Sequence, residues 1–341
     1  GIRQYQNDRD PKEKIFSFAR CMVHFAADTE LVYMTTELRG KKSFFMPFNK
    51  GLNNGKSTGE FGAGNPVNPN GLKTHYFWEE VLSKNSLSNI IDKFAQVIEE
   101  KDEDTGKTKR KMIFPKYHQI TAVKQILAHA KKYGIGKKYL IQHSAGSGKS
   151  MSIAWLTHQL HGLFDTSGEN HLFNSVIVVT DRTVLDKQLR DEIKQFAPKR
   201  GIVEAITGVG GSKTNQLKEA FGNRKKVIIC TIQTFPFLLD DMGEMPASNF
   251  AIVIDEAHSS QSGQTSAKMN AALADKNNEN NEDEEEPTFE DKINEMIESR
   301  KMITNGSYFA FTATPKNKTL ETFGVKSNET YTDENGDVKT K

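Results

Sequence analysis

Cysteine is scarce in this chain. Its 341 residues include only Cys21 and Cys230, which lie far apart and lack the spacing of metal ligands. A disulfide framework and a zinc site built from paired cysteines are therefore excluded, and the composition suits a reducing compartment. We expect a cytoplasmic location. His158 and His161 share a predicted helix face, but no third ligand follows nearby, so no zinc site is expected there either.

Long apolar runs are also missing. No run approaches the roughly 20 residues of a membrane span, and no signal peptide is visible. Hydrophobic residues make up 36% of the chain and charged residues 26%. This balance is typical of a soluble chain that is long enough for one large domain or two smaller ones, and it predicts no membrane partner.

Neither sign of charge dominates, because the net charge is only +2. However, the segment ENNEDEEEPTFED, residues 279–291, holds eight acidic residues and no basic one, so the rest of the chain is distinctly basic. A basic body favours a polyanionic partner. Within the acidic segment, mutual repulsion and little apolar area predict that residues 276–288 lie on the surface, open to proteases.

The order of predicted elements indicates an α/β fold. Residues 1–98 are mixed, with short strands and Gly/Asn/Pro loops, and a charged linker is predicted over 99–112. From residue 113 to about 325, strands and helices alternate, and 326–341 form a tail or the start of a link to a second motor domain. Near-continuous Val/Ile strands predict a mainly parallel sheet buried on both faces, as in a RecA-like P-loop domain. The predicted strands are 138–142, 175–180, 202–207, 226–230, 250–255 and 307–313.

One short stretch in this region, IQHSAGSGKS (141–150), ends like a phosphate-binding loop of the form G-x-x-x-x-G-K-[ST]. His143 stands where that pattern has its first glycine. Two other G-K-[ST] triplets, at 55–57 and 106–108, lie in polar segments without a strand–loop–helix context and are predicted to be ordinary loops. Around 141–150 that context is present, because an apolar strand precedes the stretch and an amphipathic helix pattern follows it.

The loop predicts a nucleotide site for ATP with Mg²⁺. Gly146 and Gly148 let backbone amides approach phosphate oxygens at a helix N-terminus, with Ser144, Ala145 and Ser147 completing the cradle. Lys149 is expected to reach the outer phosphates, and the Ser150 hydroxyl to bind Mg²⁺.

A second segment, FAIVIDEAH (250–258), supplies the acids that such a site needs. Asp255 ends an apolar strand and is expected to hold Mg²⁺ directly or through water. Glu256 is suited to orienting the attacking water, and His258 to sensing the γ-phosphate. The predicted catalytic residues are therefore Lys149, Asp255, Glu256 and His258.

These segments resemble the motifs of superfamily-2 helicases and translocases. AGSGKS, DEAH and FTATP (311–315) resemble motifs I, II and III, and motif I of that family commonly begins with a residue other than glycine. FPKYHQ (114–119) resembles the Q motif, which implies that Gln119 reads the adenine edge with Tyr117 or Phe114 near the ring. Thr312 and Thr314 of the third motif are implied to couple hydrolysis to movement.

Two further segments resemble the nucleic-acid-binding motifs Ia and Ib of the same family. They are VVTDRTVLDKQL (178–189) and CTIQTF (230–235). The resemblance implies phosphate contacts from Thr180, Arg182, Thr231 and Gln233, although ordinary loop chemistry remains the alternative for these four residues.

The first hundred residues look like the segment that joins nuclease to motor in the R subunit of type I restriction enzymes, and this resemblance extends from residue 1 to about 325. It implies an ATP-dependent translocase of double-stranded DNA, with the methyltransferase (M) and specificity (S) subunits as partners. No Pro-Asp and Glu-x-Lys pair of a nuclease is present, and too little sequence follows Pro315 for a second RecA-like domain. We therefore expect a weak ATPase without nuclease activity.

Two alternatives remain open. A DEAH-type helicase that acts on RNA, or on DNA in another pathway, would share the ATP motifs. A module that binds nucleotide and a partner without turnover would share the loop alone.

Overall fold

The computed structural model describes residues 1–10, 12–51, 64–101, 106–144, 146–180, 183–197, 201–206, 215–216, 219–220, 223, 225–232, 234–235, 242, 248–255, 303–315, 317–324, 330–332 and 338–340. Several predicted features lie outside these residues: Ala145, Arg182, Gln233, Glu256, His258, the triplet at 55–57 and the acidic segment 279–291. The described chain divides into two compact units, Gly1–Ile126 and Leu127–Lys341.

The first unit contains two small antiparallel sheets. Strands β1 (His24–Ala27), β2 (Val32–Thr35) and β3 (Met46–Pro47) form one sheet in that order, and β4 (Gln96–Lys101) pairs with β5 (Thr108–Ile113) in the other. Helix α1 spans Lys84–Lys93, and a single π-helical turn covers Phe77–Val81. The core is aromatic, and Phe25 packs edge-on against Phe48, Phe77 and Phe114 at centroid distances of 5.2, 4.7 and 5.8 Å.

The β4–β5 hairpin differs from the charged linker that the sequence predicted over 99–112. Its strands have complementary charges, and Glu99 lies directly opposite Arg110. Opposite charges across an antiparallel pair stabilise the pairing. At the other end of the hairpin, Ile98 and Met112 are buried. The triplet at 106–108 runs straight into β5, so no helix follows it.

The second unit is built on a six-stranded sheet whose pairs are all parallel. The strand order is β6-β11-β10-β7-β9-β8, and the strands are β6 (Lys138–Gln142), β7 (Ser175–Thr180), β8 (Val203–Ala205), β9 (Val227–Thr231), β10 (Phe250–Asp255) and β11 (Gly306–Thr312). All six predicted strands are present. The α/β fold with a parallel sheet is thereby confirmed.

Continuous apolar runs explain why the central strands are buried on both faces. Every residue of β7, β9, β10 and β11 is buried. A sheet of this kind needs helices on its faces, and helix α3 (Lys149–His161) packs on β7 and β10 while α4 (Thr183–Gln195) packs on β7 and β9. Helix α2 (Tyr117–Tyr133) precedes β6 in the chain.

After β11 the described chain continues into helix α5 (Asn317–Phe323) and a small antiparallel pair, β12 (Thr330–Thr332) with β13 (Val338–Thr340). None of the helices in the described ranges combines the length and apolar composition that a membrane span requires.

Candidate nucleotide site

The loop between β6 and α3 has the backbone shape that its glycines predict. Gly146 has φ +73° and Gly148 has φ +92°, both in the left-handed region that glycine tolerates best. A Cβ at Gly146 would meet no atom within 4 Å, so conformation rather than space explains this glycine. Gly148 is the N-cap of α3, and no described side chain caps the helix there. The first-turn amides are thus suited to receive an anion.

Lys149 and Asp255 meet in an ion pair, with Lys149 Nζ 2.8 Å from Asp255 Oδ1. Their side chains are 19% and 12% exposed, so the pair is largely shielded from water. The start of α3 and the end of β10 thereby converge. Ser150, the predicted magnesium ligand, is half-buried in the first turn of the same helix.

Strand β11 lies between β6 and β10 and brings the third motif to the same edge of the sheet. In the register, Thr312 pairs with Gln142 of β6, and Phe311 pairs with Asp255 of β10. The Thr312 carbonyl accepts a hydrogen bond from the His143 backbone amide at 2.7 Å. Gln142 Nε2 donates to the Ala313 carbonyl at 3.3 Å. The segment from Gln142 to His143 is therefore hydrogen-bonded directly to the FTATP segment.

The two threonines predicted to couple hydrolysis to movement have different surroundings. Thr312 is 1% exposed, and its hydroxyl has no hydrogen-bond partner among the described residues. Thr314 is exposed. A buried hydroxyl without a partner costs stability, so Thr312 is a polar group that the described part of the fold does not use.

The surroundings of one side chain, that of His143, were not predicted from the sequence. The ring is buried, and it contacts the hydroxyls of Ser147 and Ser152. Ser147 Oγ also donates to the Ser144 carbonyl at 2.6 Å. The two serines, four and nine residues after the histidine, were the available signal.

Gln119, predicted to read adenine, is 3% exposed near the start of α2. Its Oε1 accepts a hydrogen bond from the Lys116 backbone amide at 2.8 Å. Tyr117 packs edge-on against Tyr76, and Phe114 is buried in the aromatic core of the first unit. The described surroundings of all three residues lie in the first unit.

Thr180 and Thr231, two of the predicted nucleic-acid contacts, are neighbours in register at the ends of β7 and β9. Because the strands are parallel, they lie at the same edge of the sheet as the loop. Both are at most 3% exposed. The Thr231 hydroxyl is 3.3 Å from that of Thr234, and the Thr180 hydroxyl has no partner among the described residues.

Histidines near the C-terminal end of α3 serve the packing of the helix. His158 Nε2 contacts the Ile193 carbonyl at 2.6 Å, and burial lowers the pKa of this imidazole. Burial, assisted by Lys226, His171 and His158, lowers the pKa of His161 to about 4. Across the described ranges, no group of three or more histidine, cysteine or acidic side chains is placed to hold a metal ion.

A family model described as SWI2/SNF2 ATPase matches residues 118–278, a little under half of the chain. No curated protein matches the chain in sequence.

Several solved structures are similar to the chain. T4 UvsW is 14% identical over 71% of this chain and 35% of its own, with a TM-score of 0.38. A fragment described as an HsdR subunit of a type I restriction enzyme from Vibrio vulnificus is 14% identical over 72% and 43%, with a TM-score of 0.35. The Hef helicase domain from Pyrococcus furiosus is 18% identical over 60% and 36%, also with a TM-score of 0.35. The chain thus spans 35% to 43% of the length of these solved structures.

Proposed function

We propose that this chain binds ATP with Mg²⁺ and couples ATP hydrolysis to movement along nucleic acid. The premise is that residues 118–278, which match a SWI2/SNF2 ATPase family model, form an ATPase domain of that type within helicase superfamily 2. The observation that carries the proposal is the ion pair between Lys149 and Asp255 at 2.8 Å. This ion pair joins the phosphate-binding loop to the end of β10 at a position that is largely shielded from water.

The residues of this place fit the charges of ATP and Mg²⁺. The Lys149 ammonium and the first-turn amides of α3 would neutralise phosphate oxygens. A carboxylate and a hydroxyl are hard oxygen ligands of the kind that Mg²⁺ prefers, which suits Asp255 and Ser150. The bound Mg²⁺ would supply charge neutralisation at the phosphates. Nucleotide would then take the place of Asp255 as partner of Lys149.

Three predicted roles extend this site beyond the ion pair. Glu256 would orient the attacking water, His258 would sense the γ-phosphate, and Gln119 would read adenine. For Gln119 to do so, its carbonyl would exchange the local bond to the Lys116 amide for the base.

The more specific form of the proposal is a duplex-DNA translocase, the first motor domain of a type I restriction R subunit that works with M and S subunits. The resemblance of residues 1–98 to that family supports it, as does the basic character of the chain outside 279–291. Thr180 and Thr231, which lie at the carboxyl edge of the sheet, would contact the DNA backbone. Arg182 and Gln233 are proposed to share this role.

Nucleotide binding is tested by titrating a fluorescent ATP analogue with Mg²⁺ into the 341-residue chain and a Lys149→Ala variant. Loss of a charge-assisted bond costs about 1.5–3 kcal/mol, so affinity should fall roughly 10- to 100-fold. Lys225→Ala is the matched control, because Lys225 is also shielded and paired with a carboxylate, Glu204, but precedes β9 at the opposite edge of the sheet. Equal affinities for the wild type and Lys149→Ala would refute the proposed site.

The nucleic-acid class is tested by measuring phosphate release by the full-length protein that contains this chain. Linear duplex DNA should stimulate release more than single-stranded RNA of equal length. Stimulation by RNA alone would favour the DEAH-type RNA helicase, and binding without any turnover would favour the nucleotide-binding module.

A further inference from the structure

His143 occupies the position where the usual phosphate-binding loop has its first glycine, yet its ring is 5% exposed and fully engaged. Nδ1 is in hydrogen-bond contact with Ser147 Oγ, inside the loop. Nε2 lies 3.2 Å from Ser152 Oγ, in the first turns of α3. A residue that merely tolerated the position would not have both ring nitrogens paired with hydroxyls of the same loop and helix.

The directions of these hydrogen bonds follow from the serine hydroxyls. Ser147 Oγ donates its proton to the Ser144 carbonyl at 2.6 Å, so it accepts from His143 Nδ1–H. In a neutral imidazole, Nε2 is then the unprotonated nitrogen, and it accepts the proton of Ser152 Oγ. The alternative acceptor for Ser152, the Gly148 carbonyl, is more distant at 3.4 Å. One tautomer, with the proton on Nδ1, satisfies the whole relay.

The backbone of the same residue fixes the loop to the sheet. The His143 amide donates to the Thr312 carbonyl at 2.7 Å, and the ring centroid lies 6.2 Å from that of Phe311. His143 therefore contacts three elements at once: the loop, the start of α3 and the end of β11.

We infer that His143 is a positioning residue, whose Nδ1–H tautomer holds Ser147 and the N-terminus of α3 in the shape that receives the nucleotide phosphates. This inference rests on the proposed function. The usual motif has glycine at this position, which would suggest that glycine is tolerated there. The inference predicts the opposite: glycine at position 143 damages the loop, because the hydroxyls of Ser147 and Ser152 lose their shared partner.

The first test measures the affinity of the fluorescent ATP analogue in His143→Gly, His143→Ala and His143→Asn variants of the 341-residue chain. We expect the first two to bind about 10-fold more weakly, since a buried polar group is left without its partner. Asparagine places an amide N–H where Nδ1–H stands, so His143→Asn should recover most of the affinity. Ser147→Ala should be as weak as His143→Ala, and combining it with His143→Asn should bring no recovery.

The controls separate this role from general folding. His24→Asn removes another buried imidazole, in the first unit, and should leave nucleotide affinity unchanged. A ¹⁵N NMR spectrum of the wild-type imidazole should show protonated Nδ1 and bare Nε2, and Ser147→Ala should abolish that preference.

Three results would overturn the inference: wild-type affinity in His143→Gly, equal weakness of His143→Asn and His143→Ala, or a protonated Nε2 in the wild type. If the wild-type chain itself bound no nucleotide, the proposed function would fail instead. The NMR result would then still show whether the relay exists.

Discussion

At the scale of single residues, the Thr312 hydroxyl is a polar group of the site that the described fold leaves unused. It lies at the end of β11, on the strand between the phosphate-binding loop and the acidic strand, and is 1% exposed. Evolution could have placed valine here at no cost in shape. Because this hydroxyl adds no stability in the described surroundings, we expect it to act on the bound nucleotide or on the partner along which the chain moves.

Thr312→Val should therefore separate stability from function. Removal of an unpartnered buried hydroxyl should raise the free energy of unfolding by up to about 1 kcal/mol, while ATP turnover falls several-fold and nucleotide affinity stays within about twofold. Thr157→Val is the control, because Thr157 is wholly buried in α3 with a hydroxyl equally without a partner among the described residues. Thermal unfolding and phosphate release measure the two effects, and unchanged turnover in Thr312→Val would exclude a functional hydroxyl.

At the scale of elements, helix α3 joins two chemically different ends. Its N-terminus carries the phosphate-binding loop, and its last turn carries His158 and His161, which burial keeps neutral near pH 7. His171 stacks on His161 at 5.9 Å, and Lys226 adds positive charge nearby. Protonation of His158 or His161 would place a positive charge among the groups that pack against this end of α3.

The stability of the chain should consequently fall as the pH drops from about 6.5 to about 4. His161 takes up a proton near 6.5 in the unfolded chain but only near 4 in the folded one. The unfolded state therefore binds more protons throughout that interval, and the free energy of unfolding decreases with falling pH. His161→Leu should flatten this part of the curve in denaturant unfolding. An unchanged slope in His161→Leu would contradict the assignment.

The elements also show what a sequence can and cannot reveal. Strands β7, β9, β10 and β11 were predictable because strands buried on both faces are continuous apolar runs. The β4–β5 hairpin was not, since the charged residues that suggested a linker are stabilised by partners across the pair, such as Arg110 opposite Glu99. Lys149 and Asp255 were predictable from motifs. The roles of Ser147 and Ser152 were not, because serine chemistry depends on what the fold places beside it.

At the scale of the whole molecule, the described chain contains one parallel six-stranded sheet and, at its carboxyl edge, the Lys149–Asp255 pair on which the proposed nucleotide site rests. In motors of helicase superfamily 2, whose motifs this sequence resembles, a second RecA-like domain supplies an arginine to the γ-phosphate. Such an arginine contributes about 10³- to 10⁵-fold to the rate.

The 341 residues alone should therefore bind nucleotide but turn it over slowly, with little stimulation by linear duplex DNA and no nicking of plasmid DNA. Closure of two domains on each other is needed for movement and for full turnover. Steady-state phosphate release with and without DNA, alongside a plasmid-nicking assay, measures these expectations. Robust DNA-stimulated turnover by the monomeric chain would contradict them.

The strand order of the second unit also determines when each strand can pair during synthesis. Strand β6 is at the edge of the described sheet, and its partner β11 arrives late in synthesis: Lys137 and Ser307, hydrogen-bonded beside this pair, are 170 residues apart. Synthesis proceeds at about 5–20 residues per second, so β11 is completed roughly 10–30 s after β6. During this time β7, β9 and β10 are synthesised and can pair with one another. The 143–150 loop is thus synthesised before β11, which lies between β6 and β10, so that a nascent chain would gain the proposed nucleotide site only when this sheet is complete.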